Sequence, residues 1–410
     1  MEVGSLNAPQ FFGILAIILV GAKAFGWIAQ RIGQPAVLGE LIAGMVLGRS
    51  ALGLVDPRLE GLHLLSELGV LILLFAIGLE TNLGQLLQVG GTSAAVAVVG
   101  VILPFALGFL ACRTMGIANL PTLVASAALT ATSVGITARV FAELGYLQEP
   151  EGRIVLGAAV LDDVLGLVIL TVVFGVVGGE TVSATSLLRI SGMAFGFLIG
   201  AIVIGTLLIP LLLKGIRRVE PTGASVFSAF LLALALAWLA NYCGSASILG
   251  AFVAGLLLNG SREAERIEHG ITDLGRLFVP IFFVCVGAAV DLRVFDPSNQ
   301  ANWPTLGIGA TLIGAAVVGK FCAGYAPWWF KGRKAVIGVG MIPRGEVGLI
   351  FAQMGEQSKV FDAKLFGAVT LMVVVTTFLA PPLLRGMLGR PGRLFSRDDH
   401  EGIDELVAEI

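Results

Sequence analysis

Two adjacent carboxylates, Asp162 and Asp163, interrupt an apolar run that extends from Ile154 to about Val177. About 20 apolar residues, rising about 1.5 Å each, cross the hydrocarbon core of a bilayer, so the pair falls near the midplane of a membrane helix. Each aspartate at that depth costs about 2.5 to 3.5 kcal/mol on insertion scales. Neighbours on a helix point about 100° apart, so the two acids meet different surroundings and do different work. A salt bridge between helices would account for one of them. Accounting for both takes an ion site.

Three other stretches carry chemistry inside apolar segments. The run before the aspartates holds Thr130, Thr132, Ser133 and Gly135 at mid-span. That composition suits a helix that unwinds locally and leaves carbonyls free for a cation. It equally suits an intact helix whose hydroxyls bond back to their own turn. A later run contains Met341-Ile342-Pro343-Arg344-Gly345-Glu346, where Pro343 removes a helical hydrogen bond and Gly345 tolerates unusual dihedrals. Arg344 and Glu346 would face different sides of an unbroken helix, so each is expected to pair elsewhere or with carbonyl ends at the break. Lys320 lies about two-thirds along a third run. It either snorkels to the near interface or pairs with one of the aspartates. Glu40 and Glu80 are lesser acids, read here as structural and interfacial.

The rest of the chain supplies the elements that must position these groups. Of its 410 residues 56% are hydrophobic and 13% charged, and mean hydropathy is +0.93. Soluble domains carry about twice that charged fraction. The chain is therefore an all-α polytopic membrane protein. A net charge of −2 without a basic patch gives no support for a nucleic-acid partner. Cys112, Cys243, Cys285 and Cys322 stand apart, His63, His269 and His400 form no cluster, and neither set has metal-ligand spacing. No cofactor is implied. Phe11–Val20 lacks the basic leader of a signal peptide and is expected to remain as a first helix.

Apolar runs bounded by charges, glycine and proline fall at about 9–29, 35–55, 62–80, 90–112, 120–142, 153–177, 187–213, 222–241, 245–259, 271–290, 304–327, 333–356 and 363–388, giving thirteen candidate helices. Residues 1–388 form one transmembrane unit, followed by a short charged tail at 389–410. With the amino terminus outside, seventeen Lys and Arg residues lie on inner loops and seven on outer ones, which predicts a cytoplasmic carboxyl terminus. Lys320 and Arg344 complete the 26 and lie inside apolar runs.

The chain also repeats. Leu38–Leu47 aligns without gaps to Leu249–Leu258 at an offset of 211, and Phe75–Leu83 to Val284–Leu292 at an offset of 209. Each match lies seven candidate helices from its partner, an odd number, so the second copy is inverted. Inverted repeats with interrupted helices in matching positions belong to secondary transporters, which bind their substrate at the midplane. Two acids, an unwound partner helix and a buried lysine suggest proton exchange for a small cation, because one carboxylate holds Na⁺ or H⁺ but not both. A sodium-coupled symporter of organic anions could use the same plan with less need for paired aspartates. An intramembrane aspartyl protease would need its acids on separate helices, so no enzyme is expected.

Asp162-Asp163, the Thr132-Ser133 break, Pro343-Arg344-Gly345-Glu346 and Lys320 together resemble the monovalent cation:proton antiporters, specifically their NapA-like sodium/proton branch. The resemblance covers nearly the whole chain and implies an NhaA/NapA-like fold with two broken, crossing helices. It makes Asp163 the ion-carrying carboxylate, with Asp162 also at the site and paired to Lys320. Thr132, Ser133 and Glu346 fall beside the site, supported by Thr130, Pro343 and Arg344. It further implies electrogenic exchange of Na⁺ or Li⁺, with K⁺/H⁺ exchange as the alternative ion choice. About 90–177 and 304–388 would form a moving core. About 9–80 and 222–290 would form a homodimer interface, with about 187–213 as linker. The setting implied is a bacterial inner membrane, and the work an elevator-like alternating access. Related potassium-efflux proteins usually carry Gln-Asp and a nucleotide-binding domain, from which Asp-Asp and the short tail depart.

Overall fold

A computed structural model describes residues 7–177, 184–219, 224–261, 263–290, 298 and 300–389. The expected tail beyond Gly389, with His400, and the loop charges Arg262 and Arg293 lie outside the described residues. Among those described, the chain is helical throughout, with one isolated bridge between Gly48 and Val55. The helices are α1 (Ala8–Arg31), α2 (Ala36–Leu47), α3 (Glu60–Glu80), α4 (Leu83–Gln88), α5 (Gly90–Thr114), α6 (Asn119–Ala128), α7 (Val134–Glu143) and α8 (Pro150–Val177), then α9 (Ala184–Val219), α10 (Ala224–Tyr242), α11 (Ser247–Asn259), α12 (Ala264–Ala288), α13 (Trp303–Ala323), α14 (Lys334–Gly340), α15 (Glu346–Gln357) and α16 (Ala363–Leu388). Eight contain stretches long and apolar enough to cross a membrane, and three shorter apolar helices accompany them. The protein is a multi-pass membrane protein.

Two boundaries depart furthest from the sequence reading, and one short helix is additional to it. The second apolar run stops at Leu47 instead of continuing to 55, because residues 48–55 fold back and pair Gly48 with Val55. Helix α12 begins at Ala264, ahead of the apolar run. Its first turns bury Ile267 and Ile271 and leave Glu265, Arg266 and His269 exposed, the 3.6-residue period of a half-buried helix. The six-residue α4 was not anticipated; Asn82 caps it by accepting from the Gln85 amide at 3.1 Å.

By contact the helices form two groups. One comprises α1–α3 and α10–α12, the other α5–α8 and α13–α16, and α9 packs against α8, α10 and α11. The groups meet where α7 lies against α2 and α3.

Within the first group, glycines let backbones touch. A Cβ on Gly44 would sit 2.1 Å from the Val284 carbonyl oxygen, and one on Gly287 would sit 2.1 Å from that of Leu41. Gly255 and Gly78 stand in the same relation to Phe75 and Phe252, at 2.4 and 2.3 Å. The repeat maps Gly44 onto Gly255 and Gly78 onto Gly287, so the α2–α12 contact and the α11–α3 contact exchange roles. Gly39 and Gly250, also equivalent, press on Phe25 and Leu236, likewise 211 residues apart. One packing solution is thus used twice.

Gly44→Val or Gly255→Val should therefore force these helices apart, at about 1 to 3 kcal/mol for each. Thermal unfolding in detergent should show a lower midpoint for both. Gly196→Ala, where an added Cβ meets nothing within 4 Å, should leave the midpoint unchanged or raise it.

Candidate functional site

The two interrupted segments break where the sequence placed the breaks, and the breaks touch. Helix α6 ends at Ala128 and α7 starts at Val134; α14 ends at Gly340 and α15 starts at Glu346. The Ser133 amide donates to the Pro343 carbonyl at 2.9 Å. Thr132 Oγ1 donates to the Met341 carbonyl at 3.3 Å, and Thr137 Oγ1 to that of Gly340 at 3.0 Å. A Cβ on Gly345 would lie 2.6 Å from Ser133 Oγ, so glycine is required for this approach. Ser133 also caps α7, its Oγ accepting from the Ile136 amide at 3.5 Å.

Four half-helix ends converge here, and each leaves backbone groups without intrahelical partners. The carboxyl-terminal ends of α6 and α14 present carbonyls and the negative ends of their dipoles. Arg344 answers the first. Its side chain is 0% exposed; Nη1 donates to the Ala131 carbonyl at 2.8 Å, and Nη2 to that of Leu129. Hydroxyls of Thr132 and Thr137 answer the second. The Arg344 carbonyl in turn accepts from Thr377 Oγ1 on α16.

Beside this crossing runs α8 with the aspartates. Asp162 and Lys320 are both 0% exposed, and Lys320 Nζ contacts Asp162 Oδ2 at 3.1 Å. Helix α5 lies between α8 and α13, and Lys320 reaches across it above Gly100, where a Cβ would come within 3.4 Å of Nζ. The second Asp162 oxygen, Oδ1, is buried without a hydrogen-bond partner. Asp163 is half-buried and acts electrostatically on Lys320, and Asp162 does so on Arg344. Two acids and two bases thus share one largely dry region. They balance in formal charge, which is how charge persists away from water.

Of the site residues read from the sequence, Thr132, Ser133, Pro343 and Arg344 lie at the crossing, and Asp162, Asp163 and Lys320 lie beside it on α8 and α13. Thr130 is the exception in direction: its Oγ1 turns back to the Ala127 carbonyl at 2.8 Å and serves α6 alone. Glu346 opens α15, but its side chain is not among those described. Thr137 and Thr377 were missed. Thr137 follows Ser133 by one turn and so shares its face, a signal that was available; nothing in the sequence near Thr377 announces its contact. Snorkelling of Lys320 is excluded by its burial.

A family profile described as sodium/hydrogen exchanger, transmembrane, matches residues 14–389. The high-affinity Na⁺/H⁺ antiporter NhaS3 of Synechocystis sp. is 41% identical over 421 residues, covering 94% of this chain and 91% of its own. The Na⁺/H⁺–K⁺ antiporter GerN of Bacillus cereus is 32% identical over 381 residues, covering 93% and 97%. In fold the chain is similar to the sodium proton antiporter MjNhaP1 of Methanocaldococcus jannaschii, solved at pH 8. The TM-score is 0.65 at 20% identity, over 92% of this chain and 97% of that one.

Removing one member of the buried pair should strand the other. Lys320→Met is expected to lower stability by about 3 to 5 kcal/mol, and Asp162→Asn added to it should restore much of the loss. Thermal or denaturant unfolding of the two single variants and the double variant closes that cycle. Simple additivity would mean the pair is energetically uncoupled.

Proposed function

The chain belongs to the transmembrane sodium/hydrogen exchanger family, and on that footing we propose that it exchanges H⁺ for Na⁺ or Li⁺ at a midplane site carried by Asp163. The observation that carries this reading is the wholly buried contact between Lys320 and Asp162. It neutralises one acid of the pair and leaves the neighbouring Asp163, half-buried, as the carboxylate that exchanges ions with water. Carbonyls and hydroxyls of the unwound crossing, Thr132 and Ser133 among them, would complete the shell of a dehydrated cation.

Coupling follows from charge burial. An empty Asp163 carboxylate carried through a dry interface would cost several kcal/mol, whereas one holding Na⁺ or H⁺ is neutral. Only the loaded site crosses, so every Na⁺ moved one way requires protons moved the other. In the electrogenic form a second proton sits on Lys320 or Asp162 and leaves when Na⁺ draws the aspartates together. Inward protons drive outward Na⁺.

The moving part would be the group of α5–α8 and α13–α16, sliding against α1–α3 and α10–α12 with α9 as linker. The group of α1–α3 and α10–α12 would also form the homodimer interface. Counting each broken pair as one passage gives thirteen crossings, with the amino terminus outside and the carboxyl terminus cytoplasmic in a bacterial inner membrane. The reciprocal glycine contacts support the inverted repeat, and no resident cofactor or enzymatic step is needed. K⁺ is the second reading of the substrate, favoured by the similarity to GerN, a Na⁺/H⁺–K⁺ antiporter.

Proteoliposomes with a pH-sensitive dye should show proton flux on addition of Na⁺ or Li⁺, abolished in Asp163→Asn. A response to K⁺ alone would change the substrate; no response to any cation from folded protein would overturn antiport. Because one proton competes with one Na⁺ on Asp163, apparent Na⁺ affinity should fall about tenfold per unit drop in pH once that acid is protonated. An affinity independent of pH would place proton and Na⁺ on separate groups.

A further inference from the structure

The two helix groups meet by different chemistry at their two ends. At the end where Arg31, Arg139, Arg333 and Arg385 gather, polar contacts join them. Arg139 on α7 pairs with Glu143 of its own helix, Nε to Oε1 at 2.7 Å. The same guanidinium stands in the field of Glu40 on α2 and Glu80 on α3, both in the opposite group. Glu40 is only 6% exposed, and its Oε2 has no hydrogen-bond partner. Gln148, in the turn after α7, donates to the Glu80 carbonyl. Arg385 of α16 covers the α1–α2 turn at Gly33, whose φ of 73° and lack of a Cβ make room for the guanidinium. Towards the other end, the crevice between α12 and α15–α16 is lined mostly by apolar side chains, Val286, Val290, Leu349, Val374 and Phe378 among them, together with Arg344 and Thr377 of the helix crossing.

We propose that Arg139 is an ionic latch that closes the ion path at the basic end, with Glu40 and Glu80 as its partners across the gap. The proposal rests on the alternating-access reading above. Its logic is the asymmetry of the partners. Glu143 lies one turn along the same helix, so Arg139 keeps that partner however the groups slide. Glu40 and Glu80 belong to the other group and must be left behind. A buried Glu40 deprived of the guanidinium needs water or another cation, so release of the latch and hydration of this end occur together. The charged groups around Glu40 are Arg139 and Glu143 from α7 and Lys23 from α1. Arg139 and Glu40 are accordingly positioning residues and do not touch the transported ion.

The test uses the full chain with Cys112, Cys243, Cys285 and Cys322 replaced by alanine. Ile77→Cys is the reporter, a buried position one turn from Glu80. A membrane-impermeant maleimide added from the basic side should label it about three to ten times faster in Arg139→Gln than in the parent, as expected if the closed population falls. Glu40→Gln should act in the same direction, and Arg139→Lys should stay near the parent rate. Should Arg139→Gln fail to fold, Glu40→Gln, which keeps the side-chain shape, decides the matter. Parental or slower labelling in the folded charge-removing variants overturns the latch. Labelling requires no transport, so this result stands apart from whether any cation drives proton flux.

Discussion

Backbone broken at the middle of a membrane must find partners within the protein, since each unsatisfied group there costs several kcal/mol. The crossing of α6–α7 with α14–α15 meets that constraint reciprocally. Ser133 bonds to Pro343, Thr132 to Met341, Thr137 to Gly340, and Arg344 to Leu129 and Ala131. Neither break would persist without the other. An offset of 211 residues links Ser133 of the first break to Arg344 of the second, so the two halves solve the same problem with different chemistry. A small hydroxyl caps one helix start, and a guanidinium caps the facing helix end.

That asymmetry shapes the electrostatics beside the crossing. The guanidinium brings a fixed positive charge toward Asp162, and Lys320 arrives from α13 to pair with it. With Asp163 included the region balances.

The glycines of α2, α3, α11 and α12 make a different contribution. Close backbone contact at Gly44, Gly78, Gly255 and Gly287 gives large contact area without large side chains, which is how helices associate where lipid removes the hydrophobic drive. The group they hold together is a frame. The contacts across to the other group, where α7 meets α2 and α3, are fewer, and there Arg139 lies in the field of Glu40 and Glu80.

By itself the sequence determined what hydropathy and local chemistry can carry. Long apolar runs name membrane helices, Pro343 and Gly345 mark a break, and intramembrane charges stand out because burial there is costly. The repeat at an offset of 211 was legible because close packing demands glycine at matching positions. Only the tertiary structure decided partners. Whether Thr132 and Ser133 lie in an intact or unwound helix turned on Met341 and Pro343, two hundred residues away, and periodicity does not report such distances. Lys320 could snorkel or pair until α5 and Gly100 placed it against Asp162. Glu40 was read as structural because its repeat counterpart is Ala251; the fold buries it in the field of Arg139 from the other group. Repeat symmetry describes the frame that the two halves share, whereas charge sits where they differ, and there only the folded neighbours assign its place.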